Sequence, residues 1–137
     1  MILGIVAVMA GCSKSKEKRM YDLLFIPVVG KWDLVTDSTL AGVGAYATYT
    51  IRTGTTGDYW DFRDDGKVYI KEGTLMDTAG YTRYGSNEIA IDRFGWIFNS
   101  QQTRSTIREL TAHSLVIHSA DVMAPGGVNV RTVYLKR

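Results

Sequence analysis

The residues able to do chemistry are few and scattered along the chain. Gly42-Val43-Gly44-Ala45-Tyr46-Ala47 has the spacing of a dinucleotide-binding loop, in which glycines admit a pyrophosphate to a helix N-terminus. The residues after it, YATYTIRT at 46 to 53, form a strand pattern instead of a helix, so the stretch reads as a flexible hairpin loop. His113 and His118 are the only histidines and flank a β-type run. An odd spacing on a strand puts them on opposite faces, where they cannot share a metal. His118, Ser119 and Asp121 hold the letters of a catalytic triad, but a triad needs side chains converging from separate elements and an oxyanion hole. They read as surface polar residues. Asp58, Asp61, Asp64 and Asp65 make an acidic cluster whose spacing is not that of an EF-hand loop, and acids of hairpin turns account for it. The sequence therefore offers no catalytic, cofactor-binding or metal-ligating set, and the chain is expected not to be an enzyme.

Cys12, the single cysteine, stands apart. Residues 2 to 11, ILGIVAVMAG, form an apolar stretch of signal-peptide h-region length that ends in small residues just before it. A core cysteine should lie inside a periodic pattern, whereas Cys12 lies between this stretch and the solvated run SKSKEKR at 13 to 19. Met9-Ala10-Gly11-Cys12 resembles the lipobox of bacterial lipoproteins. The resemblance implies cleavage after Gly11 and lipidation of the Cys12 thiol. Residues 1 to 11 are then a lipoprotein signal peptide, and residues 12 to 29 the lipidated cysteine and its linker. Each buried methylene contributes about 0.8 kcal/mol, so two or three acyl chains tether a protein essentially permanently. The expected partner is a membrane. Ser13, where the enteric sorting rule looks for Asp, points to the outer membrane of the bacterial envelope.

The elements that must position any site occupy the rest of the 137 residues, a length suited to one domain. Apolar residues make up 45% and charged residues 22%, which excludes a disordered tail and a collagen-like fibre. The net charge of +2 resides in the arm: Lys14, Lys16, Lys18 and Arg19 against Glu17 leave the body near −1. A nucleic-acid module carries its basic face on the folded domain, so nucleic acid is not an expected partner.

One short helical candidate, Met20 to Ile26, ends at Pro27; everything after it alternates with period two. In GKWDLVTDS, Trp32, Leu34 and Thr36 share one face while Asp33, Val35 and Asp37 share the other. Residues 58 to 73 form two strands divided at Asp65-Gly66, which predicts a two-residue hairpin turn with positive φ angles. Further runs are GYTRY at 80 to 84, EIAID at 88 to 92, GWIF at 95 to 98, STIREL at 105 to 110, SLVIHS at 114 to 119 and VNVRTVYLK at 128 to 136. Short consecutive strands without intervening helices mean antiparallel meander connections, hence an all-β sandwich or up-and-down barrel of about eight strands.

Gly30-Lys31-Trp32 resembles the G-x-W of lipocalins and their bacterial lipocalin-like relatives. The order of Phe62 to Val68, Gly80-Tyr81, Ile107 to Leu110, Leu115 to Ile117 and Val133 to Arg137 is similar to small lipocalin-like lipoproteins with a calycin-type barrel. The resemblance covers residues 30 to 137, the barrel domain. It implies that Trp32 packs at the closed end under a basic residue from a late strand, Arg131 or Arg137, and that a ligand enters at the other end. Trp32 and Gly66 are thus scaffold residues.

The remaining functional expectation rests on aromatics. Trp60, Phe62, Tyr81, Trp96 and Phe98 are candidates to line a ligand, although a small barrel also needs large side chains simply to fill it. The strand parity holding Trp60, Phe62, Val68, Ile70, Ile89 and Ile91 shows almost no ionisable groups. That predicts an apolar or amphipathic ligand, with Gly42 to Gly44 or Met76 to Gly80 at the mouth. The other reading is a filled barrel serving as a non-enzymatic interaction module for an envelope protein or glycan.

Overall fold

Alternating apolar residues leave each segment half-buried, and its backbone groups must then pair sideways with neighbouring strands. The computed structural model of the protein describes residues 27–94, 104–120, 122–124 and 127–137. In chain order the strands are β1 (Gly30–Gly42), β2 (Thr48–Thr53), β3 (Tyr59–Phe62), β4 (Lys67–Glu72) and β5 (Leu75–Tyr84). They continue with β6 (Glu88–Ile91), β7 (Arg104–Leu110), β8 (Ser114–His118), β9 (Val122–Ala124) and β10 (Gly127–Lys136). Each pairs antiparallel with its neighbours, and β10 returns to β1 from Asp33↔Lys136 to Gly42↔Val128. The circuit β1-β3-β4-β5-β6-β7-β8-β10 is a closed eight-stranded antiparallel barrel. Closure removes the edges that an open sheet would expose.

β2 and β9 lie outside that circuit. β1 is long enough to change partners: Gly30 to Asp33 pair with β3, and Thr36 to Ala41 pair with β2. The exchange happens at a bulge between Leu34 and Thr36. There the Leu34 N–H donates to the Asp58 carbonyl at 3.0 Å and the Gly54 N–H to the Val35 carbonyl at 2.9 Å. β9 adds three residues to the far end of β10.

The core sits inside the circuit. Inward positions alternate along each strand, and Trp32, Trp60, Phe62, Ile89, Leu115 and Val133 are wholly buried. Burying one such aliphatic or aromatic side chain stabilises the fold by roughly 1.5–3 kcal/mol. The connections 63–66, 85–87 and 111–113 gather at the end where β1 begins. Trp32 lies at this end, donating from Nε1 to the Val28 carbonyl at 2.8 Å. The Arg137 guanidinium lies 4.0 Å from its ring centroid and also donates to the carbonyls of Val29 and Ala112. A cation over an indole face, with its hydrogen bonds satisfied, closes the end with little desolvation cost. Of the two basic residues expected for this place, Arg137 fills it.

Two local expectations differ from the structure. The turn after β3 is a three-residue loop: the Gly66 N–H donates to the Arg63 carbonyl, and only Gly66, at φ +78°, is left-handed, Asp65 keeping an ordinary φ. Asp65 contributes through its carboxylate, which accepts from the Lys67 N–H at 3.0 Å. Met76 to Gly80 belong to β5, which starts at Leu75, so they are strand and not mouth. Gly42 to Gly44 do form part of a connection, a single 3₁₀ turn at Gly44–Tyr46 leading into β2. The helical candidate Met20 to Ile26 and the strand candidate GWIF at 95 to 98 lie outside the described residues.

Candidate functional site

The end opposite Trp32 carries the connections 43–47 and 54–58 and the two-residue turn 73–74 between β4 and β5. The barrel's densest chemistry runs from Phe62 and Tyr81, near the end where β1 begins, through Trp60 to Phe94 and the ionic groups on this side. Trp60 on β3 is the hub. Its ring packs at 6.1 Å from Phe62 and edge-on at 5.9 Å from Phe94, while Phe62 meets Tyr81 edge-on at 5.1 Å. These tilted and T-shaped contacts suit the quadrupoles of the rings. The Tyr81 hydroxyl reaches the Arg63 carbonyl at 2.6 Å, so only its ring serves the interior. Of the aromatic candidates, Trp60, Phe62 and Tyr81 thus form one cluster, joined by Phe94. Trp96 and Phe98 lie outside the described residues.

An ionic network adjoins this cluster. Asp37 on β1 and Glu72 at the end of β4 are buried carboxylates, and Arg131 on β10 lies between them. The Arg131 Nε donates to both Asp37 carboxylate oxygens at 3.0 Å, and its second nitrogen completes a bidentate pair. The same guanidinium lies 5.4 Å from the Trp60 ring centroid and 5.1 Å from that of Phe94. Glu72 accepts from the Trp60 indole N–H at 2.9 Å and lies 3.5 Å from Arg131. Arg52 on β2 reaches in from the rim, 3.9 Å from Glu72 and 3.5 Å from Asp58.

The two outer carboxylates are driven in opposite directions. The Gly73 and Thr55 backbone N–H groups, the Thr55 hydroxyl and Arg52 hold Asp58 down to about 2. Burial pushes Glu72 above the usual carboxylate range, with the negative charge of Asp37 adding to the effect against the Trp60 hydrogen bond and the two arginines. Breaking a buried pair such as Asp37–Arg131 by removing one partner typically costs about 3–5 kcal/mol, whereas the intact pair is worth far less. The network therefore fixes geometry more than it adds stability.

An interior without ionisable groups is not what this chain builds. Glu72 follows Val68 and Ile70 in the same inward parity, and Arg131 precedes Val133 and Leu135 in theirs. Counting two residues further along each strand would have found both. Asp37 is different: the bulge at Val35 reverses the parity of β1, so Asp37 turns in beside Val133 although unbroken alternation puts it outside.

The other sequence candidates do not converge. His113 sits at the β7–β8 turn with Nδ1 3.2 Å from the Arg137 carbonyl, and His118 lies near the far end of β8, 2.7 Å from the Thr132 hydroxyl. The Ser119 hydroxyl accepts from the Arg131 N–H. Asp58, Asp61 and Asp65 serve separate bonds, Asp61 pairing with Arg63. Among the described residues no group of three or more His, Cys, Asp or Glu side chains could hold a metal ion. Cys12, the signal-peptide stretch and Asp121 lie outside the described residues. Comparison with known protein families, curated proteins and solved structures finds no match for this chain.

Proposed function

We propose that the chain is a membrane-anchored, lipocalin-like lipoprotein that binds a small amphipathic molecule in its barrel. The observation that carries this reading is the asymmetry of the closed barrel. One end is sealed by Trp32 beneath Arg137, while towards the other Trp60 and Phe94 adjoin an ionic network that reaches solvent through Arg52. Amphipathic ligands need that pairing, an apolar wall for the body and polar groups at the entrance. Of the apolar or amphipathic ligand that strand parity implies, the amphipathic one is favoured by Asp37, Glu72 and Arg131, which are inside. The barrel supplies binding and no reaction. Lipidation of Cys12 would keep it in the bacterial envelope, at the outer membrane.

The test is a titration of the purified protein with the neutral probe N-phenylnaphthylamine, following probe emission and tryptophan quenching. Saturable binding is expected, weakened by Trp60→Phe. In cells fed a clickable fatty acid, wild type should carry the label and sediment with membranes while Cys12→Ala does neither. Label and membrane association persisting in that variant would remove the anchor from the reading.

A second reading has its own observation. Tyr46, Tyr49 and Ile51, in and before β2, are more than half exposed. Grouped apolar exposure of this kind suits a protein or glycan partner. A titration showing no probe binding would favour it.

A further inference from the structure

Ser105, on β7, carries the one buried side-chain oxygen without a hydrogen-bond partner among the described residues. The residue is 1% exposed and faces inward, in the parity of Ile107 and directly opposite the wholly buried Ile89. The hydroxyl at the neighbouring position, that of Ser119, is engaged, accepting from the Arg131 N–H. A hydroxyl buried without a partner destabilises a fold relative to alanine, so its presence at the top of β7 calls for a partner that the described residues do not supply. Ser105 is one step beyond the Thr106↔His118 pair, which places it beside Ser119, the residue after β8, with Arg131 one strand further on. Two strand spacings, roughly 10 Å, separate it from the Arg131 backbone.

The charged groups of the ionic network are already matched. Both Asp37 oxygens accept from Arg131. Asp58 accepts from Gly73 and Thr55, and Glu72 accepts from Trp60. Two guanidiniums face three carboxylates, so no surplus positive charge awaits an anion. An ammonium would give up its hydration for carboxylates whose charge is already shared with Arg131 and Arg52, a poor exchange in a buried site.

We propose that the ligand's polar group is uncharged, a carbonyl or hydroxyl that pairs with the Ser105 hydroxyl while the apolar body lies against Trp60 and Phe94. This deepens the small-molecule reading and rests on it. The site discriminates against carboxylates and amines of the same chain length, and Ser105 is the group that reads the neutral head.

The experiment is displacement of bound N-phenylnaphthylamine from the purified full-length protein by monolaurin, laurate and dodecylamine, which share one chain length and differ in head charge. Monolaurin should compete at least about tenfold better than either charged analogue. Ser105→Ala should weaken monolaurin by about tenfold, the worth of one hydrogen bond to a buried partner, while probe affinity stays the same and the melting temperature holds or rises. Laurate or dodecylamine competing as well as monolaurin would overturn the neutral-head assignment, and unchanged monolaurin affinity in Ser105→Ala would overturn the role of Ser105. Either result leaves barrel binding intact. Failure of the probe and all three competitors to bind would remove the small-molecule reading itself, and this inference with it.

Discussion

Asp58 and Glu72 belong to one network yet respond oppositely to pH, which makes the network visible to a stability measurement. Backbone donors depress Asp58 from 3.8 to about 2. Its unfolded form binds the proton more tightly, so its stabilisation is present above pH 3.8 and is lost as pH falls towards 2. Burial raises Glu72 above 4.5. Its folded form binds the proton more tightly, so its contribution is present below pH 4.5 and is lost as pH rises through the elevated value. Thermal melts followed by circular dichroism should show each effect through its own variant. Glu72→Gln keeps an acceptor for the Trp60 indole and should gain on wild type as pH rises above 4.5, whereas Asp58→Asn should flatten the loss at acid pH. A Glu72→Gln curve running parallel to wild type from pH 4.5 to 8 would contradict the buried, proton-retaining carboxyl. At this scale the sequence was legible where parity is unbroken. Trp60, Phe62 and Trp32 are buried as alternation requires, and Glu72 and Arg131 obey the same alternation although their charge argues for solvent. Charge is a poor guide to direction when partners such as Trp60 and Asp37 converge from other strands.

Elements depend on a few backbone positions, and two glycines show two different reasons. Gly66 sits at φ +78° with open space around it: an added Cβ would come no closer than 3.6 Å to the Tyr81 carbonyl oxygen. Gly54 has an ordinary φ, but its Cβ would meet the Leu34 carbonyl oxygen at 1.9 Å, at the bulge where β1 passes from β3 to β2. Gly66→Ala should therefore cost only the left-handed penalty, about 1–2 kcal/mol. Gly54→Ala must displace backbone at the junction of three strands and should cost roughly 3 kcal/mol or more. Urea denaturation of the two variants gives the comparison, and the opposite order would mean that the junction yields easily. The Asp-Gly pair announced a turn, but its type was set by Asp65 bonding forward to Lys67, which leaves Gly66 alone in the left-handed region. The bulge at Val35 had no local mark: it follows from β1 needing two successive partners on one side, a tertiary demand that period-two counting along a single strand does not contain. That one inserted residue also turned Asp37 inward, so an error at the element scale became a missing residue in the site.

The molecule as a whole is held by a seam between its first and last barrel strands. β1 pairs with β10 through nine registered residue pairs, and the inward Val133 and Leu135 of β10 are buried against the same core as Trp32 and Leu34. The seam also assembles the candidate site, because Asp37 and Arg131 meet across it, as do Trp32 and Arg137 at the sealed end. Contacts between the two ends of a chain are costly to form and reward folding only when the circuit closes. Barrel closure should therefore be all-or-none, with the site assembled in the same step. Leu135→Ala removes a buried side chain from the seam and should cost roughly 2–5 kcal/mol. The loss is expected as one shifted transition in which circular dichroism and tryptophan fluorescence coincide, since Trp32 and Trp60, cross-strand partners on β1 and β3, belong to the same core as Leu135. An early fluorescence change while the dichroism of the strands persists would show instead that the seam opens by itself. The ionic network would then come apart without unfolding, and the entrance to the barrel would be a moving part rather than a fixed rim.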